Sequence, residues 1–267
     1  MCYNFCMEHN PFRYHHQIYA TPNKNSHYSH MHSDYELFFF FSGDVDYIIG
    51  GSTYHLKSND LLFIKPSQYH CLKVLSLRPY EWTHINFPLD LLTPQNQCFV
   101  PELHEVYHIP SNHPIKQIFD SLKETEPVFS EEEFVYHKKT SLNLILSHLK
   151  YIEQEKIQQP DVRDDRLHGI LQYIDTNIEA PITTKILADS FFVSPSWIEH
   201  TLKKHLNISV KQYINQKKIL HAQQLIYSGV TATKAAEMCS YANYSTFFRQ
   251  YKYFLGKDPI TDKQNHH

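Results

Sequence analysis

The chain has 267 residues, room for one large or two ordinary domains, and its 42% apolar and 20% charged residues are the balance of a globular protein. No apolar run reaches the roughly 18 residues of a membrane span, and none has the pattern of an export signal. The expected place of action is the cytoplasm, with no membrane partner. The net charge of −3 is uneven: residues 1–166 hold 14 Lys and Arg against 21 Asp and Glu, while residues 167–267 hold 11 against 7. A basic part joined to an acidic one points to a polyanionic partner for the former. Cys2, Cys6, Cys71, Cys98 and Cys239 lie without CxxC or zinc-finger spacing and read as free thiols in a reducing compartment.

Residues 17–110 read as an all-β module. Runs of Tyr, Phe, Ile and Val at 35–41, 45–49, 53–57 and 61–65 are separated by turn signals. Those signals are Ser42-Gly43-Asp44, Gly50-Gly51-Ser52, Ser58-Asn59-Asp60 and Lys65-Pro66-Ser67. Such close spacing predicts hairpins stacked in a sandwich or barrel. From about residue 113 the apolar period becomes helical. It runs through Ile115, Ile118, Phe119 and Leu122, breaks near Glu126-Pro127, and resumes through Leu142, Ile145, Leu146 and Leu149. These helices either pack on the β module or join two copies of the chain, since the stripe has apolar positions to spare. The polar run 154–166, broken by Pro160, reads as a linker between a domain of residues 1–153 and one of residues 167–267.

Beyond the linker the pattern is helical and contains two helix-turn-helix candidates. In the first, Thr183 or Thr184 caps a helix at Lys185–Phe191, and Ser194-Pro195 opens a second helix as N-cap and first-turn proline. Ile198, Thr201 and Leu202 share one face of that second helix; Ser196, Glu199, His200 and Lys203 are expected on the other. In the second candidate, Thr231 or Thr233 starts a helix that runs through Met238. Asn243 caps Tyr244–Leu255, and Gly256 ends it. Phe247, Tyr251 and Phe254 are expected inward, with Tyr244, Thr246, Phe248, Arg249 and Lys252 outward. A helix with a packed back and a polar, partly basic front suits the major groove of DNA. One long helix, Val210–Tyr227, joins the two units.

The stretch 167–263 resembles the DNA-binding domain of the AraC/XylS family of transcription regulators. The matching residues are Ile174, Leu187-Ala188, Ser194, Tyr213, Ala222, Leu225, Ala236, Tyr241, Ser245, Phe247, Arg249, Tyr251-Lys252, Gly256 and Pro259. The resemblance implies seven helices, with two recognition helices in successive major-groove faces of double-stranded promoter DNA. Asn207 and Ser240 stand where glycines are usual, and Asp262-Lys263 where an aromatic-Arg pair is common.

In the N-terminal part, His30-Met31-His32, then Glu36, then Gly43 resemble the first cupin motif, and Asn59 to His70 resembles the second. Residues two apart in a strand face one side, so His30, His32, Asp34 and Glu36 are expected on one inner wall, with His70 on a neighbouring strand. Three imidazoles and a carboxylate make a site for a divalent transition metal. The segment also resembles the sensory barrel of AraC-type regulators. That implies metal-free binding of an organic effector, a sugar among the candidates, by His30, His32, Tyr35, Glu36 and His70.

The fold expected is α+β and multidomain: an N-terminal cupin-like β-barrel with flanking helices, then an all-α domain of two helix-turn-helix units. The function expected is a homodimeric, non-enzymatic regulator of transcription, controlled by an effector in the barrel. The alternative is a metal-dependent cupin enzyme with an accessory helical domain, its ligands being His30, His32, Glu36 and His70.

Overall fold

A computed structural model describes residues 12–24, 27–152 and 157–266; Cys2 and Cys6 lie outside them. The strands are β1 (Arg13–Tyr19), β2 (His27–His30), β3 (Tyr35–Ser42), β4 (Val45–Ile49), β5 (Ser52–His55), β6 (Asp60–Ile64), β7 (His70–Val74), β8 (Tyr80–Phe87), β9 (Val106–His108) and β10 (Val162–Arg163). They form two five-stranded sheets, ordered β1-β8-β3-β6-β9 and β10-β5-β4-β7-β2. Every pairing within them is antiparallel.

The central strand β3 explains the layering. Its sequence YELFFFFS is apolar on both faces because both faces are covered. Phe38 and Phe40 point between the sheets, where they meet Tyr47, Leu62, Ile64, Leu72 and Tyr80. Leu37, Phe39 and Phe41 point the other way, into a core that also contains Ile115, Phe119, Leu142 and Ile145. Those last four residues belong to α2 (Pro114–Thr125) and α3 (Glu131–Leu149), which follow the short α1 (Pro94–Phe99). The period-two alternation of a strand thus serves two cores at once. At the β3–β4 turn, Gly43 has φ +137°, and a methyl group there would overlap the Tyr80 side chain.

The remaining helices are α4 (Asp165–Thr176), α5 (Thr184–Phe191), α6 (Pro195–Leu206), α7 (Val210–Tyr227), α8 (Ala232–Met238), α9 (Tyr244–Leu255) and α10 (Pro259–His266). Their ends carry the caps expected from the sequence. Ser194 Oγ accepts from Trp197 N at 3.1 Å, and Asn243 Oδ1 accepts from Thr246 N at 2.9 Å. Asn207 takes the left-handed conformation after α6, and Gly256 does so after α9. The long helix α7 serves both helix-turn-helix units. Val210, Tyr213 and Ile214 enter the core of the first, while Ile219, Ala222 and Ile226 enter that of the second.

Apolar packing and hydrogen bonds reach from the barrel to the first unit. The outer face of the second sheet contributes Ile48, Tyr69 and Cys71 to the core built by Leu167, Ile170, Leu171, Leu202 and Leu206. In addition, Lys217 Nζ on α7 donates to the Ser67 carbonyl at 2.8 Å, and the Tyr69 hydroxyl donates to the Leu206 carbonyl. The run read as a linker also joins the barrel, because Val162 and Arg163 pair with Thr53 and Ser52 as edge strand β10.

Candidate functional site

Helices α5 and α6 form one helix-turn-helix, and α8 and α9 form the other. On α6 the buried Ile198 and Leu202 set the inner face. At 100° per residue, Ser196, His200, Lys203 and Lys204 then fall opposite, and all four are exposed. Glu199 lies on the flank and is already engaged. It accepts from Thr184 Oγ1 at 3.2 Å and from Val210 N at 3.3 Å, tying α5, α6 and α7 together. It is a brace between helices rather than a free probe.

On α9 the buried Phe247 and Tyr251 set the inner face, and Ser245, Arg249, Lys252 and Tyr253 are exposed opposite it. Tyr244 is turned inward onto the second core, three residues from Phe247 and in ring contact with it. Residues three apart share a helix face, which is the reason the outward placement of Tyr244 fails. Thr246 and Phe248 are half-buried on the flanks. Lys204, Ser245 and Tyr253 are not among the residues expected from the sequence to face DNA; projection around the helix from the buried pairs identifies them.

The second site lies inside the barrel at one end. His30 ends β2, His70 begins β7, Glu36 stands on the inner face of β3, and His32 sits in the loop between β2 and β3. One ligand atom from each lies within 4.8 Å of the others. His32 Nε2 is 2.9 Å from Glu36 Oε2, His70 Nε2 is 2.9 Å from His30 Nε2, and His70 Nε2 is 3.7 Å from Glu36 Oε2. Asn86 Nδ2 donates to Glu36 Oε2 at 2.9 Å. Glu36 and His70 are buried, His32 is half-buried, and His30 is exposed at the mouth.

Burial pushes the Glu36 carboxyl up, but its contact with His32 and the nearby His84 and His70 outweigh this and hold it well below 4.5. Burial, reinforced by His30, holds His70 well below 6.5, and burial lowers His84 to about 4. At neutral pH Glu36 is therefore a carboxylate, and the buried His70 and His84 beside it are neutral.

Tyr35, expected to bind the effector, and Asp34, expected on this wall, are elsewhere. Tyr35 stacks between Phe63 and Phe87, because its neighbour Glu36 takes the inner face and adjacent strand residues point to opposite sides. Asp34 lies in the loop and pairs with Arg13 at 3.0 Å.

A family model described as an AraC-like ligand binding domain matches residues 15–135, and one described as a helix-turn-helix domain matches residues 187–265. The HTH-type transcriptional regulator YijO of Escherichia coli is 23% identical over 124 residues, which cover 46% of this chain and 44% of that protein. The chain thus spans less than half the length of that relative. The lactose operon transcription activator of Staphylococcus xylosus is 24% identical over 192 residues, covering 69% of this chain and 67% of that one. Among solved structures, ToxT from Vibrio cholerae aligns over 96% of this chain and 99% of its own, with 14% identity and a TM-score of 0.42.

Proposed function

The chain belongs to the AraC family of transcription regulators, and from that premise we propose that α6 and α9 read promoter DNA while the histidine–glutamate cluster binds the effector that controls them. The observation that carries this reading is the pair of capped helices, each with an aliphatic or aromatic back and an exposed front. The fronts are Ser196, His200 and Lys203 on α6, and Ser245, Arg249 and Lys252 on α9. Replacing Arg249 with alanine tests it. If Arg249 contacts a base edge, binding to DNA from upstream of the protein's own gene weakens by about 1–3 kcal/mol in salt titrations followed by fluorescence anisotropy. Unchanged affinity on a mapped operator would remove α9 from the interface.

The protein acts in the cytoplasm as a homodimer and is not an enzyme. Among the described residues, no helix is long and apolar enough to cross a membrane. Dimerisation is supported by α3, where Tyr136 is 74% and Leu144 is 47% exposed about two turns apart. Val128 and Phe129, just before that helix, are 76% and 40% exposed. A double change of Tyr136 and Leu144 to glutamate should halve the mass seen by sedimentation; a wild-type mass would place the dimer contact elsewhere.

A sugar is among the effectors expected from the sequence, and the similarity to a lactose operon activator keeps that class in view. The packing favours something smaller. Phe38, Phe40, Tyr47, Leu62, Ile64 and Leu72 fill the space between the sheets, so a sugar-sized guest or an organic substrate would have to displace them. The same crowding argues against the cupin-enzyme alternative.

A further inference from the structure

We propose that His30, His32, Glu36 and His70 hold a first-row divalent transition-metal ion, and that this ion is the effector read by the first helix-turn-helix unit. The second half of that statement rests on the regulator reading above; the first stands on the site alone.

The argument begins with the imidazole tautomers. His32 Nδ1 lies 3.0 Å from the Asp34 carbonyl, and His70 Nδ1 lies 2.8 Å from the Gln68 carbonyl. A carbonyl oxygen only accepts, so in each ring Nδ1 carries the hydrogen, and in the neutral ring Nε2 is a bare lone pair. His32 Nε2 has the Asn86 amide beside it at 3.2 Å, and that amide also donates to Glu36 Oε2 at 2.9 Å. His32 Nε2 meets a carboxylate oxygen at 2.9 Å, and His70 Nε2 meets an imidazole nitrogen at 2.9 Å. Acceptor atoms converging in this way are held together either by a proton on one of the rings or by a metal ion shared by all four side chains. Fixing the far nitrogen on a backbone carbonyl is also how metal-binding histidines are oriented, as is the Asn86 hydrogen bond to the carboxylate.

The dimensions agree. Bonds of about 2.1 Å set neighbouring ligands at right angles about 3.0 Å apart, and tetrahedral ones about 3.4 Å apart. The observed separations of 2.9, 2.9 and 3.7 Å bracket those edges. Three imidazoles and one carboxylate select iron, cobalt, nickel, copper or zinc over calcium or magnesium. The exposed His30 provides the way in, and an ion needs none of the space occupied by the aromatic core.

The same residues lead to the DNA-binding part. The Ser67 backbone N–H donates to the His32 carbonyl at 2.7 Å, and the Ser67 carbonyl accepts from Lys217 of α7 at 2.8 Å. Tyr69, next to the ligand His70, donates to the Leu206 carbonyl at the end of α6. Met31, between two ligands, packs on the core of the first unit. Drawing the four ligands onto an ion therefore pulls on groups bonded to α6 and α7. An ion that favours one placement of those helices shifts the population toward it.

Full-length, untagged protein stripped by chelator is titrated with Zn²⁺, Ni²⁺, Co²⁺ and Mn²⁺ by calorimetry, with the Co²⁺ complex also followed by its d–d absorption. One tight equivalent is expected for at least one ion. His30→Ala and Glu36→Gln should weaken it by ~100-fold or more, while Tyr35→Phe binds as wild type. The exposed position of His30 keeps that variant folded, which circular dichroism verifies. Anisotropy with DNA from upstream of its own gene then reads the coupling. The ion should change DNA affinity by roughly 5- to 150-fold, and Lys217→Met should keep the ion but lose that change.

Protein that binds the DNA but no ion, or ions indifferently to His30→Ala and Glu36→Gln, overturns the metal site and leaves the regulator reading intact. An ion bound at the site with no DNA binding in any state overturns the regulator reading and leaves the site. An ion and DNA bound without mutual effect overturns the effector role.

Discussion

Asp262→Ala is expected to unfold the second helix-turn-helix unit while the first stays folded. The Asp262 side chain is buried in α10 and accepts four hydrogen bonds. They come from Tyr227 Oη at 2.6 Å, Tyr251 Oη at 2.6 Å, Gln223 Nε2 at 2.7 Å, and Lys257 Nζ. Gln223 and Tyr227 belong to α7, and Tyr251 is the inner face of α9, so one carboxylate fixes α9 against α7. Removing it leaves an ammonium and three polar groups without their acceptor, a loss on the order of 3–5 kcal/mol. The effect should show as lost amide protection confined to residues 228–266, with α4–α6 retaining theirs. Uniform protection in the variant would refute the assignment. Burial raises the Asp262 pKa, but the bonds from Lys257, Tyr227, Tyr251 and Gln223 outweigh it and the pKa lies below 3.8. The contribution is thus complete above that unfolded value and is lost as the pH falls through the lower folded one.

Gly43→Ala should destabilise the barrel by about 3 kcal/mol or more. Two costs add: φ of +137° suits glycine alone, and the new methyl group would overlap Tyr80 Cβ and press on Tyr80 Cα at 3.0 Å. Neither can relax cheaply, because Tyr80 is buried in the core between the sheets and paired with β1. Gly229→Ala is the control. Its φ is +103°, yet nothing lies within 4 Å of the added carbon, so only the backbone cost of about 1 kcal/mol remains. Equal melting temperatures for the two variants would show that the close approach of Tyr80 is not what demands a glycine. The result bears on the cluster as well, since the Gly43 turn ends the strand that carries Glu36.

How far each feature was legible from the sequence depended on whether its cause was local. Helix ends were readable because caps act within a turn: Ser194, Asn243, Asn207 and Gly256 stand where their chemistry places them. Strands β3, β4 and β6 were readable from aromatic runs between turns. By contrast β1 begins at Arg13, ahead of the residues read as β, because RYHHQIY is polar and half-buried. Strand β10 was hidden because its two residues owe their pairing to Ser52 and Thr53, far away in sequence. In the cluster, the spacing brought out His30, His32, Glu36 and His70. It misplaced Tyr35 because face assignment in β3 depends on which side the helices cover. Asp262 was visible only as a departure from a pattern; its partners Gln223, Tyr227 and Tyr251 each read as ordinary helix residues. A buried hydrogen-bond hub has no signature until the chain is folded around it.

The two-residue strand β10 also bears on the layout of binding sites along a promoter. Only Asp164 stands between its last residue and the start of α4. While the strand stays zipped to β5, and Ile48, Tyr69 and Cys71 stay packed on the first unit, α6 is held at a fixed span from the barrel, and each copy in the dimer proposed above would meet its half-site at one separation. Releasing that packing and peeling the strand away frees chain at up to ~3.5 Å per residue, close to the rise of about 3.4 Å per base pair. Base pairs inserted between half-sites then act as a ruler: the number a promoter tolerates counts the residues that have come loose.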